Sequence, residues 1–490
     1  MGFVGLYIGA SGIRAAQTGL DTASNNIANA NTPGYTRQRV ELSPSHTFPS
    51  RSGPVGTGVT VDAISRLRDH FLDARYRAAI GRGAEDAVRA ESLQSMENLS
   101  GEPDQGVSAR VGQLWGVLEG WSNTPDSDAA RTEVLGTMQL IAEGFRSTSD
   151  SWVRLGEDTE ERLAIAVDTA NALLSDLTDL NARLTNVPDE RIGPQLADQR
   201  DLIIDQIAEL TGASARIQPN GSVRITAADG QTVLASFDDD NGRGFRTLRL
   251  DPDTGALQVS GELARELAGD DADYDEATEA FSGELRGLER TLAEDLPRWL
   301  GELDDVARLL TGALNRVNGE GFRRDGERGG NLLVFDELDP ARTLRLADGV
   351  AEDRDSLAAA WRDDGFEPEG GWAPEPNDGT NARRFAELRS ERLDADGDPA
   401  EGGRSIENRL SDVIVGLATE VNSARTRADA AVGIAAGAGL ARAAEHGVSI
   451  DEEMVDLIRY QRALEASARV MTTVDQALDV LINRVGIVGR

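Results

Sequence analysis

The chain has 490 residues, which at one to two hundred per domain points to about three domains, and 39 % of it is apolar with a further 52 Gly, which excludes general disorder. Fifty basic residues, all of them Arg, stand against 85 acidic ones, and the resulting net charge of −35 argues against nucleic acid as a partner. With no Cys, disulfides, thiolate metal sites and Cys nucleophiles are excluded.

The acidity belongs to the body of the chain. Residues 1–82 carry nine Arg against five acidic residues, a net of +4, so the remainder holds −39. The first charge is Arg14, so the basic region of a secretory signal peptide is missing and Sec export is not expected. The longest uncharged apolar run, Ala430 to Ala441, is twelve residues with three Gly. That is well short of the roughly twenty that span a bilayer, so membrane insertion is not expected.

At the N-terminus, Leu6, Ala10, Ile13, Gln17, Leu20, Ser24 and Ile27 alternate steps of four and three, the coiled-coil period. A second row of small residues, Gly9, Ala16, Ala23 and Ala30, permits close approach of another helix. Pro33 predicts a helix end near Ala30, and Pro33-Gly34 suits the central positions of a type II turn. Further helices are predicted from Leu114, Leu118 and Trp121, from Leu163, Val167, Ala170, Leu174, Leu177 and Leu184, and from Leu288, Leu292, Trp299, Leu303, Val306 and Leu310. Between Ala213 and Ser260 the period falls to two, with Asn220-Gly221 and Asp229-Gly230 as hairpin turns, which predicts antiparallel strands. Residues 320–405 are rich in Gly, Pro and Asp and read as loops.

The strongest periodic signal closes the chain: Ile450, Met454, Leu457, Gln461, Leu464, Ala468, Met471, Asp475, Leu478, Ile482 and Val485. These 36 residues make roughly 54 Å of helix at 1.5 Å per residue, enough to pair along most of the N-terminal helix. The polar Gln461 and Asp475 read equally as tolerated irregularities or as residues that fix register. The expected fold is therefore mainly α, an elongated helical bundle with paired terminal coiled-coil helices and a small inserted antiparallel β domain. Four parts are expected: a terminal domain (1–40 with 445–490), a helical domain (41–212, 262–322 and 376–444), a β domain (213–261) and an acidic loop-rich excursion (323–375).

Leu20 to Val40, LDTASNNIANANTPGYTRQRV, resembles the N-terminal signature of bacterial flagellar axial proteins, the rod, hook and hook-associated family. Gly447 to Asn483 is similar to the C-terminal motif of the same family, and weaker likeness runs through Leu196 to Leu210, Leu309 to Phe322 and Asn377 to Leu388. Gly34 to Gln38, GYTRQ, is most like the hook-associated members at the junction of hook and filament. The resemblance implies a structural subunit of a tubular polymer, outside the cell, exported by the flagellar type III apparatus without a cleaved signal peptide. It implies hook protein subunits, hook-associated protein 3 and further copies in a ring as partners, and a dedicated export chaperone. Leu6, Ile13, Leu20, Ile27, Ile450, Met454, Leu457, Leu464, Met471, Leu478 and Ile482 are the candidate assembly seams, with Leu457, Leu464, Met471 and Leu478 also the chaperone candidates. The family's turn motif falls on Asn25, Asn26, Pro33, Gly34 and Tyr35. The alternatives are a hook or distal rod subunit, or a flagellum-borne cell-wall hydrolase.

Residues for chemistry are sparse. The three His, at 46, 70 and 446, form no HExxH pair, and no P-loop or G-x-S-x-G elbow occurs. Asp394-Ala395-Asp396-Gly397-Asp398 is similar to the start of a calcium loop, but Gly stands at its fourth position and Ser405 at its twelfth, so an acidic turn is expected. No catalytic residue, metal site or cofactor is assigned.

Overall fold

In the computed structural model, residues 2–50, 53–185, 193–238, 242–269, 272–362 and 373–480 are described. The seam candidate Ile482 and its neighbour Val485 lie outside them. The chain opens with α1 (Gly2–Ala28), two residues shorter than Pro33 suggested. Next comes a β ribbon of β1 (Gln38–Pro44), β2 (Thr47–Ser50), β3 (Gly53–Gly56) and β4 (Val59–Arg66), followed by α2 (His70–Ser100), α3 (Val107–Asn123), α4 (Asp128–Thr185) and α5 (Pro194–Thr211). Seven short strands follow: β5 (Ser214–Ile217), β6 (Val223–Thr226), β7 (Val233–Asp238), β8 (Gly242–Phe245), β9 (Leu248–Leu250), β10 (Leu257–Ser260) and β11 (Tyr274–Glu276). Then α6 (Gly283–Arg290) runs through the π turn Thr291–Asp295 into α7 (Leu296–Glu320). The chain ends with β12 (Leu333–Val334), α8 (Pro340–Thr343), β13 (Arg345–Leu346), α9 (Thr380–Glu387), α10 (Ile406–His446) and α11 (Ile450–Val480). The fold is mainly α, with long terminal helices that pair and small antiparallel sheets in the middle. No described helix is long and apolar enough to cross a membrane.

Two compact units divide the chain differently from the expected four parts: residues 1–83, 167–283 and 431–490 form the first, residues 84–166 and 284–430 the second. In the first unit, β5 to β8 form one antiparallel sheet and β9 to β11 another, so the inserted strands share a unit with the terminal helices. Val223 with Ile225 and Leu257 with Val259 are buried two residues apart, as a period of two requires, whereas β7 is buried on both faces from Leu234 to Phe237; Leu248 and, on α4, Leu174, Leu177 and Leu184 are buried as well. Strands β1 to β4 correct the expectation that residues 41–66 belong to the helical domain. Their pairing, with Val40 opposite Ile64 and Leu42 opposite Val61, follows from the β-branched run Val59, Thr60, Val61.

Asparagines of α4 finish the sheets. Asn171 donates from Nδ2 to the Leu248 carbonyl (2.8 Å) and accepts the Leu248 N–H (2.8 Å), and Asn181 exchanges the same pair of bonds with Val223 (3.1 Å each). At Leu248, on the edge strand β9, the amide takes the place of a neighbouring strand, and at Val223, on β6 between β5 and β7, it meets backbone groups beyond the residues paired with β7, where an unpaired group is costly. Asn171→Ala should therefore destabilise the first unit by about 2 kcal/mol in denaturant titration, since it strands both polar groups of Leu248.

In the second unit the aromatic and aliphatic residues expected on α3 and α7 build the core. Leu114, Leu118 and Trp121 join Leu303, Val306 and Leu310, with Trp121 and Phe385 at 5.6 Å between ring centroids. The acidic region from 323 is irregular, yet its described part is no excursion. Leu332, Leu333, Leu344, Val350 and Leu357 are buried in the same core. Asn315 accepts the N–H groups of Leu332 and Leu333, and Asn318 donates to the carbonyls of Gly330 and Ser356, so α7 carries the loop backbone that regular structure would otherwise satisfy. The Asp394 loop is an acidic turn, with the Asp394 carboxylate accepting the N–H groups of Asp396 and Asp398.

Candidate functional site: the clasp between the terminal helices

Helices α1 and α11 pair antiparallel through small residues. A Cβ added to Gly5 would lie 2.9 Å from Val474, to Gly9 2.6 Å from Met471, to Gly12 2.6 Å from Ser467 and to Gly19 2.5 Å from Tyr460. These positions follow steps of four, three and seven and include Gly9 of the row marked for close approach, of which Ala16 and Ala23 are also buried while Ala30 lies past the helix end. Leu6, Ile13, Leu20 and Ile27 flank this row and are partly exposed. On α11 the facing residues are Tyr460, Ser467, Met471 and Val474. Leu457, Leu464, Met471 and Leu478 are partly buried, whereas Ile450 and Met454 are about half exposed. Gln461 and Asp475 are exposed and stand one residue away from the contacts made by Tyr460 and Val474, so neither polar group enters the pairing within the chain.

The row ends at Asn26, 1 % exposed, whose amide uses its full capacity. Its Nδ2 donates to the Gln38 carbonyl and to Glu453 Oε2 (2.9 Å each), and its Oδ1 accepts from the Tyr35 hydroxyl (2.8 Å) and the Gln38 N–H (3.0 Å). One side chain therefore joins the end of α1, the start of β1 and the first turn of α11. Burial, then Asp198 and Glu453, push the Tyr35 phenol up to about 12, so it remains a donor. Arg37 completes the clasp, with Nε to Glu453 and Nη1 to Glu452, both at 2.6 Å. Its backbone N–H donates to the His446 carbonyl (2.9 Å) at the end of α10.

The turn that presents these groups is local. The Tyr35 N–H donates to the Thr32 carbonyl (3.2 Å) across Pro33 and Gly34, and Gly34 has φ of +79°, a conformation that a side chain disfavours. Asn25 lies one residue off the clasp and accepts through its carbonyl from the Asn29 N–H (3.1 Å). The residues that the sequence did not single out are Arg37, Gln38, Glu453 and His446. Arg37 and Gln38 lay within the family motif, while Glu453 was hidden one position from the expected stripe.

Beside the clasp lies a buried ion network. Asp198 accepts the Thr36 N–H (3.3 Å) and Arg66 Nη1 (2.8 Å), which also reaches Asp201 (2.7 Å). Arg68 binds Asp73 through two bonds and also Asp201, and Arg442 reaches Asp73 (2.8 Å) and Asp205 (2.6 Å). Burial would push the Asp201 carboxyl up, but Arg68, Arg66 and Arg200 outweigh it and hold it below 3.8. Asp73 is likewise lowered, its burial outweighed by Arg68, Arg442 and Arg77. His446 Nε2 accepts the Asp69 N–H (2.7 Å), and burial lowers its pKa below 6.5 against the pull of Asp73.

These shifts set the pH dependence. A histidine held below its unfolded pKa binds fewer protons folded than unfolded, so its contribution is lost as pH falls below 6.5. The lowered carboxylates contribute above 3.8 and lose that contribution as pH falls through their folded values. The melting temperature of the first unit should thus decline in two steps on acidification, and His446→Gln should remove the upper step alone in calorimetry.

Comparison with known proteins agrees with this construction. Residues 93–333 match the family described as the flagellar hook-associated protein FlgK helical domain, residues 6–36 the flagella basal body rod protein family, and residues 445–484 the C-terminal family of the flagellar basal body rod FlgEFG proteins. Flagellar hook-associated protein 1 of Bacillus subtilis is 30 % identical across all of this chain and 99 % of its own length. The protein of the same name from Salmonella typhimurium is 22 % identical across 96 % of this chain and 98 % of its own length. The flagellar hook junction protein FlgK of Burkholderia pseudomallei has the same fold, with a TM-score of 0.62 over 78 % of this chain and all of that one, at 14 % identity. With its terminal motifs joined in one clasp and a relative aligned end to end, this chain belongs to the flagellar hook-associated protein 1 family.

Proposed function

We propose that the paired terminal helices are the element by which this chain, a structural subunit of the bacterial flagellum at the junction of hook and filament, is built into the flagellar tube. The observation that carries this is what pairing leaves uncovered. Ile450, Met454, Val455, Ile458, Val470 and Val480 of α11, with Tyr7 and Ile8 of α1, remain exposed after the two helices have closed on each other. Covering each such half-exposed side chain with a neighbouring subunit contributes about 1 kcal/mol, so a ring of copies would gain stability at every interface. The flanking residues Leu6, Ile13, Leu20 and Ile27 would add to these contacts. The neighbours are hook protein subunits on one side and hook-associated protein 3 on the other, and the chain acts by packing rather than by catalysis.

Export through the flagellar type III apparatus requires the terminal helices to be apart. Met471 lies against Gly9 in the folded chain, and Leu457, Leu464 and Leu478 are partly buried, so a chaperone would hold α11 before the pair closes. Electron microscopy of a strain lacking the protein, with assay of released flagellin, tests the junction role. Complete hooks without filaments and flagellin in the medium are expected; missing hooks would reassign the chain to the hook or rod. A variant lacking residues 447–490 should keep its second unit folded yet fail to incorporate.

A further inference from the structure

The buried ion network of the first unit does not balance. Arg66, Arg68, Arg77, Arg200 and Arg442 face Asp73, Asp198, Asp201 and Asp205, five guanidinium groups against four carboxylates, and every one of these side chains is mostly buried. His446 is held neutral by its burial, the buried Glu453 is paired with Arg37, and Asp69 and Glu209 are exposed, so water screens their charge. Among the described residues one positive charge is left, in surroundings where an unpaired charge is costly.

The surplus has a place to be met. A cavity of about 220 Å³ opens between α2, α5 and the first sheet, with Arg77, Asp73 and Asp201 inside and His70 and Arg216 at its exposed mouth. Arg77 is 7 % exposed, and its Nη2, buried, has no hydrogen-bond partner. Its approach to Asp201 is long, 3.7 Å, and Arg77 gives Nε to Asp205 (2.7 Å). Both carboxylates in the cavity are already committed, Asp73 to Arg68 and Arg442, and Asp201 to Arg66 and Arg68. Arg200 Nε is unpartnered as well, 4.0 Å from Asp201, and the neighbouring Arg66, Arg68 and Arg77 add to burial in lowering its pKa.

We propose that this cavity binds a monovalent inorganic anion of the size of chloride, held by Arg77 Nη2 with Arg216 and His70 at the entrance. One surplus charge calls for one negative charge. A dianion would be repelled by Asp73 and Asp201, and a cation would add to the excess. The volume accommodates the ion with several waters. The bound anion joins α2 to β5, so it stabilises the unit that carries the clasp.

The test uses the full chain at constant ionic strength, exchanging chloride for gluconate, a far bulkier anion of the same charge. Thermal unfolding should shift upward with chloride and saturate between about 1 and 100 mM, as for a ligand of the folded state. The ³⁵Cl resonance should show excess broadening that bromide competes away. Arg77→Gln should abolish both effects. Because that change also breaks the pair with Asp205, Arg216→Gln provides the second variant: it should weaken the chloride dependence several-fold and leave the melting temperature in gluconate unchanged. Equal melting temperatures in chloride and gluconate without excess broadening would mean that the cavity holds only water and would overturn the proposal. Broadening that survives in both variants, or stronger stabilisation by phosphate than by chloride, would overturn it too.

Discussion

Replacing Asn26 with Asp should destabilise the first unit by about 4 kcal/mol at neutral pH, although the two side chains have nearly the same shape. Asn26 Nδ2 donates to the Gln38 carbonyl and to the buried Glu453 carboxylate. A carboxylate oxygen there would face two acceptors, one of them charged, and would repel both. Burial and Glu453 would raise the pKa of the introduced carboxyl, so its penalty should be full at high pH and fade as the group takes up a proton and regains a donor. Acidification removes the contributions of His446, Asp73 and Asp201 from both proteins alike, so these groups do not change the difference between them. Melting temperatures of the two proteins should therefore converge as pH is lowered from about 8 to about 4. Asn26→Ala, which removes bonds without adding charge, should cost about 2 to 3 kcal/mol with little extra pH dependence. Parallel curves for Asn26→Asp and the unaltered protein would show that Glu453 is not the group being opposed.

Gly19→Leu should separate the terminal helices and abolish incorporation into the flagellum. A Cβ at position 19 would stand 2.5 Å from the Tyr460 ring, closer than side chains approach, so the ring must shift out of the seam. Overpacking of this kind costs about 1 to 3 kcal/mol, and here it also displaces the register that brings Asn26 to Glu453. Gly112→Leu supplies the matched control. Gly112 lies on α3 with nothing within 4 Å of an added Cβ, so the same exchange should raise stability by up to about 1 kcal/mol through helix propensity. Opposite signs for one substitution at two helical glycines separate packing from propensity. Cells carrying Gly19→Leu should make complete hooks, shed flagellin into the medium and fail to swim, whereas a motile strain would show that the helix pair tolerates separation.

The helical part of the fold was legible because each helix buries a stripe. Leu114, Leu118 and Trp121, and Leu303, Val306 and Leu310, are core residues on the faces that their spacing marked. Strands β1 to β4 escaped because the alternation of Val59 and Val61 is brief and the paired strand begins inside the family motif, where Gln38 and Arg39 mask the period. The region from 323 was read as an excursion because it lacks periodicity. Its backbone groups are instead satisfied one at a time by Asn315 and Asn318, a solution that leaves no repeating pattern.

By itself the sequence determined that the terminal segments are helices, that small residues at positions 9, 16 and 23 permit close approach, and that Pro33-Gly34 turns the chain. Each of these follows from local sterics or from a regular period, and so is written in neighbouring residues. Only the tertiary structure decided which row of α11 meets that small face. Leu457, Leu464, Met471 and Leu478 repeat every seven residues, and the intervening positions could be filled by Met454, Gln461, Ala468 and Asp475 or by their neighbours at 453, 460, 467 and 474, a choice that rotates the helix by less than a third of a turn. The hydrogen bond from Asn26 to Glu453 and the contact of Gly19 with Tyr460 select the second set. Both join residues more than four hundred positions apart, and the energy of such a contact depends on geometry that no local pattern records.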